Sequence, residues 1–121
     1  MRTNPRQAEL AAELLDVTGE HELAEFLEGL MTETAWHAGE LPVATGQELL
    51  RELRKTVVRT VPTVAALVGD RPRSGETPAA TAARVYGLEL EGLSAEDRDY
   101  EIAQEFIRCA QAAITAAGQR H

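Results

Sequence analysis

Leu23, Phe26, Leu27, Leu30 and Met31 fall at i, i+3, i+4, i+7 and i+8, and this spacing constrains the chain more than any other feature. Residues so spaced share one face of a helix but would scatter over both faces of a strand. The opposite positions hold Glu20, Glu22, Glu25, Glu28 and Glu33, so the predicted helix is apolar on one side and acidic on the other. Thr18 is placed to cap it, and Ala38-Gly39 with Pro42 beyond marks its stop.

Similar signals frame the rest of the chain. Asn4, Pro5 and Gln7 have the order of a cap, a first-turn proline and the return arm of a capping box, which predicts a helix over 5–17 with Leu10, Ala11, Leu14 and Leu15 inward. A short turn at Thr18-Gly19 then makes the first two helices an antiparallel hairpin. Thr45-Gly46-Gln47-Glu48 reads as a second capping box, opening a helix that buries Leu49, Leu50, Leu53 and Val57. Pro62 either kinks or restarts it. Thr77-Pro78 starts a short Ala-rich helix that Gly87 closes, and Ser94 with Asp97 caps a last one carrying Tyr100, Ala103, Phe106, Ile107, Ala110 and Ile114. The expected fold is an all-α irregular bundle of four to six helices in one domain, 1–121. A loop is expected at 69–77, with flexible ends at 1–3 and 118–121.

Composition agrees with helices. Twenty alanines, fourteen leucines and only 4% aromatic residues describe a core that gains its packing from close helix approach instead of large rings. Cys109 is the single cysteine, so no intrachain disulfide can form, and a cytoplasmic setting is expected. The opening residues show no secretory pattern, and the longest apolar stretch, VVRTVPTVAALV, is too short to span a bilayer and contains Arg59 and Pro62. Eleven arginines among twelve basic residues suggest a GC-rich bacterial genome.

The net charge of −8 is unevenly distributed. Residues 1–48 hold ten acids and two bases, 49–84 seven bases and three acids, and 85–121 seven acids and three bases. Overall acidity disfavours nucleic acid and anionic membrane as partners, because both are drawn to clustered positive charge. The basic middle nevertheless places Arg51, Arg54, Lys55 and Arg59 along one helix face. Either that row pairs with acidic helices of the same chain or a partner, or it binds an anion such as phosphate or a lipid headgroup.

No catalytic pattern emerges. Glu20-His21-Glu22-Leu23-Ala24-Glu25 lacks the second histidine, four residues on, that zinc proteases use. His21, Glu25 and His37 are the metal-ligating candidates, and against them stands a solvated acidic face with incidental histidines. Cys109 lies in an apolar stripe with no base beside it, Ser74 and Ser94 belong to a loop and a cap, and Trp36 with His37 reads as a hairpin-closing contact. No cofactor and no enzymatic activity are expected.

Two stretches, ELAAELLDVTGEHELAEFLEGL and ARVYGLELEGLSAEDRDYEIAQEFIRCAQAA, resemble a family of small uncharacterised bacterial proteins with acidic helical ends around a basic, Pro-containing middle. YGLELEG and the acidic helix after it are the most specific part. The middle here has few glycines where that family is often Gly-rich. The resemblance implies no activity.

The functional expectation is a non-enzymatic accessory or scaffold protein working through protein contacts. A homodimer is the first expectation, with Ile102, Phe106 and Cys109 on the broad last helix as contact residues and Arg51, Arg54, Lys55 and Arg59 as an electrostatic docking row. The alternatives are a membrane-surface or injected effector acting through 49–68, and a small metal-binding protein.

Overall fold

The computed structural model describes residues 5–38, 41–69 and 75–118, with residues 36–38 described by backbone alone. Asn4, Gly39, the loop residues 70–74 and the C-terminal 119–121 lie outside the described residues, so the cap expected at Asn4, the stop expected at Gly39 and the middle of the expected 69–77 loop do too. Among the described residues six helices follow one another: α1 Pro5–Leu15, α2 Glu20–Ala38, α3 Val43–Thr60, α4 Pro62–Val68, α5 Pro78–Tyr86 and α6 Ala95–Gly118. The fold is all-α, an irregular bundle around one core.

Local chemistry sets most of the boundaries. α1 ends two residues before the expected limit because its last turn tightens: the Asp16 amide donates to Glu13 and that of Val17 to Leu14. At the start of α2 the capping is reversed from the expected form. Glu22 reaches back, accepting from the Thr18 amide at 3.2 Å and the Thr18 hydroxyl at 2.7 Å, and these bonds hold its carboxyl below the usual carboxylate range.

The start of α3 corrects the sequence expectation. Thr45 caps nothing: the helix begins at Val43, with Pro42 at its N-cap in an extended conformation and no side-chain cap bond. The Pro42 carbonyl accepts the Gly46 amide at 2.9 Å, so Thr45 and Glu48 sit inside the helix. Starting earlier extends the hydrogen-bonded run by most of a turn and brings Gly46 beside Met31 of α2. Pro62 restarts the chain. Val61, at φ −101° and ψ 108°, donates to Val57 and accepts from Ala65, so one extended residue closes α3 and opens α4.

Thr77 and Ser94 cap as their positions predict. The Ala80 amide donates to Thr77 Oγ1 and that of Asp97 to Ser94 Oγ, both at 3.1 Å. Gly69 and Gly87 close α4 and α5 in the left-handed conformation, at φ 77° and 66°.

α6 is the axle of the bundle, packed against α1, α2, α3 and α5. Its Ile102, Ala103, Phe106, Ile107, Ala110 and Ile114 are buried against Leu10 and Leu14 of α1, Leu23, Leu27 and Leu30 of α2, Val57 of α3 and Ala82 of α5. The breadth of its apolar face is thereby explained within the chain: helices arrive on several sides of it.

Candidate functional site

α2 and α3 lie side by side and run antiparallel. Arg54, in the second half of α3, pairs with Glu20 at the start of α2, while Gly46 near the start of α3 faces Met31 in the second half of α2. Their inward rows, Leu23, Leu27 and Leu30 on one and Leu53 and Val57 on the other, are fixed in the core. The remaining faces of both helices therefore look outward together.

Those outward faces carry opposite charge. On α2 they present His21, Glu25 and Glu28, all exposed. On α3 they present Arg51, Lys55 and Arg59, exposed as well, interspersed with Glu48 and Glu52. Most of these charges are only loosely engaged. Lys55 stands 3.7 Å from Glu52 on its own helix, and Arg51 has no hydrogen bond or ion pair among the described residues. Arg59 exerts its charge on Glu76, whose carboxyl is held below the usual range chiefly by a hydrogen bond from Arg84, then by one from Thr81. Among the described residues, Arg54 is the member of the basic row that pairs with an acidic helix, crossing to Glu20.

At the end of the face away from Glu20 lies an open apolar groove of about 380 Å³, lined by Met31, Thr32, Ala35, Leu41, Pro42, Val43 and Gly46. Val43 forms one lip and is 77% exposed, well beyond any other large apolar side chain described. Sequence reading missed this groove. Its only trace there is the apolar run Leu41-Pro42-Val43 between two helices, which reads as a linker until the early start of α3 fixes it in place.

The expected dimer contact on the last helix is corrected. Ile102 is 0% and Phe106 1% exposed in the isolated chain, because α6 spends its apolar face on the core, so neither offers a surface to a second subunit. Cys109 is half-buried, and burial pushes its thiol up, opposite to the shift a reactive thiolate needs.

The metal candidates do not assemble. His21 Nε2 lies 2.7 Å from Glu25 Oε1 in a pair open to solvent on both sides, the side chain of His37 lies outside the described residues, and no group of three or more ligating side chains gathers among those described. The apolar side of 49–68 is likewise committed: Leu53, Val57, Val58, Val61, Val64 and Ala65 are core. No described helix is long and apolar enough to cross a membrane. No family model matches the chain, and no curated protein or solved structure matches it.

Proposed function

We propose that this chain is a non-enzymatic interaction protein, an accessory or scaffold component that docks another folded protein through the α2–α3 face. The observation that carries this reading is one surface joining an acidic ridge, a basic ridge and an apolar groove. An apolar patch beside charges of both signs has the makeup of a specific protein contact, in which the groove supplies affinity and the charges supply register. A single-sign field, as anion binders carry, is lacking on this face because Glu48 and Glu52 interrupt the basic row.

The membrane-surface reading draws less support. An interfacial helix needs an apolar face to insert, and the inward residues of 49–68 are already packed into the bundle. The cytoplasmic setting and the kinship with small bacterial proteins remain part of the proposal, resting on the lone Cys109 and on the two terminal stretches.

Cross-linking mass spectrometry in the native host tests the reading. Protein cross-links centred on α2 and α3 are expected, and they should vanish in an Arg51→Glu, Lys55→Glu variant of unchanged helicity. Flotation of the wild type with vesicles rich in anionic lipid, abolished by the same variant, would overturn it.

A further inference from the structure

Resting on the interaction reading, we infer that the occupant of the α2–α3 face is a second copy of this chain, related by a two-fold axis that runs along the seam between the two helices. The face is its own complement in net charge: acids alone carry the charge of α2 there, while Arg51, Lys55 and Arg59 outnumber Glu48 and Glu52 on α3. A two-fold rotation about an axis in the interface and parallel to α2 and α3 lays α2 of one copy over α3 of the other, and the reverse. The acidic ridge of each then meets the basic ridge of its partner.

The levels along the helices agree. Glu20 and Arg54 are paired and so mark one height. At about 1.5 Å per residue, Glu25 stands about 7.5 Å beyond Glu20 and Arg51 about 4.5 Å beyond Arg54, so the two occupy neighbouring heights. Because the rotation preserves height, Glu25 of each copy comes to face the stretch from Arg51 to Glu48 of the other, within reach of the Arg51 guanidinium, and Lys55 faces the Glu20–His21 end. The same operation carries Val43 of one copy over the Met31, Thr32 and Ala35 side of the other's groove, since Val43 stands at the groove's own height. Each copy then covers the most exposed large apolar side chain described in the other. Charge and apolar matching thus follow from a single operation, and the contact closes at two subunits.

Paired charge reversal measured by sedimentation velocity provides the test. The wild type should dimerise in a concentration-dependent way, more weakly as salt rises. Glu25→Lys sets a cation against Arg51 of the partner, whereas Arg51→Glu with Lys55→Glu sets carboxylates against Glu25 and Glu20. Each variant alone should lose about tenfold or more in dimer affinity, and an equimolar mixture of the two should form a heterodimer. Formation of that heterodimer also shows that both variants fold. Val43→Ser should weaken the wild-type dimer without changing its salt dependence. Full dimerisation of either reversed variant, or a mixture that stays monomeric, overturns the proposal. A wild type that remains monomeric at the highest concentration overturns it too. In that last case host cross-links from Arg51 and Lys55 to a different protein leave the broader interaction reading standing, and their absence removes both.

Discussion

Arg54 on α3 reaches across the helix seam to the carboxylate of Glu20, joining the basic third of the chain to its acidic start. Both side chains are substantially exposed, at 47% and 63%, so water and salt screen the pair. Its contribution to stability is about 0–1 kcal/mol, and its larger role is to fix which residues of α2 stand beside which residues of α3. Arg54→Ala is therefore expected to lower unfolding stability by less than about 1 kcal/mol at low salt. The difference should fade at high salt, as checked by urea denaturation at two ionic strengths.

Phe106 is expected to behave differently. It is the largest fully buried side chain among the described residues, held in α6 where α1, α2, α3 and α5 converge. Phe106→Ala removes a ring whose neighbours cannot all collapse into the space, and should cost about 3–5 kcal/mol. Ile102→Val, which deletes one methylene at a site of equal burial, should cost about 0.5–1.5 kcal/mol. Neither substitution should alter the concentration dependence of self-association once allowance is made for folding, because neither side chain reaches the surface. Urea denaturation and sedimentation on the same samples check both statements.

These residues also show which parts of the fold were legible beforehand. Thr77-Pro78 and Ser94 predict the helix starts that are observed, and Pro62 predicts a break while leaving kink or restart open, because a cap or a proline acts on the four residues beside it. Thr45-Gly46-Gln47-Glu48 offered an equally local signal and was overruled. Pro42 could serve as the cap position, and doing so lengthened α3 and set Gly46 against Met31. The sequence marks Ile102 and Phe106 as apolar but does not say what covers them. A stripe wider than one neighbour can cover does not say whether its other neighbours come from the same chain, and here they do. The charged ridges of α2 and α3 were visible as patterns, but their adjacency required the antiparallel packing that the Arg54–Glu20 contact marks. The groove at Val43 was not legible, since it depends on where two helices stop and start.

Two glycines should respond to alanine in opposite directions. Gly29 lies within α2 on its exposed side, its φ is not in the left-handed region, and a Cβ built on it meets nothing within 4 Å. Gly29→Ala should stabilise the protein by about 0.5–1 kcal/mol, because alanine loses less backbone freedom on entering a helix. Gly87 also has open space around its Cα but holds φ at 66° to close α5, and the Leu88 amide there donates to Ala83. Gly87→Ala should cost about 1–2 kcal/mol from the left-handed backbone alone. Thermal unfolding of the two variants beside the wild type decides whether backbone conformation, and not space, governs both sites.

The hydroxyls of Thr60 and Tyr86, 3.2 Å apart, tie the last residue of α3 to the last residue of α5. Burial pushes the Tyr86 phenol above its usual 10.0, and the hydrogen bond with Thr60 offsets only part of that rise. An acid whose folded pKa is raised is kept neutral by the fold. Its contribution is complete below the unfolded value of 10.0 and is lost as pH climbs through the raised one. The Cys109 thiol, pushed above its usual 9.0 by burial, adds a loss of the same sign that begins nearer neutrality. Wild-type stability should accordingly be level from neutral pH to the onset of these ionisations and then decline. Tyr86→Phe should cost about 0.5–1.5 kcal/mol at neutral pH through the lost hydroxyl bond. In a Cys109→Ala background it should also remove most of the alkaline decline. Denaturant midpoints from about pH 8 to about pH 11 provide the check, and a decline unaltered by Tyr86→Phe would assign the alkaline sensitivity to groups other than this buried phenol.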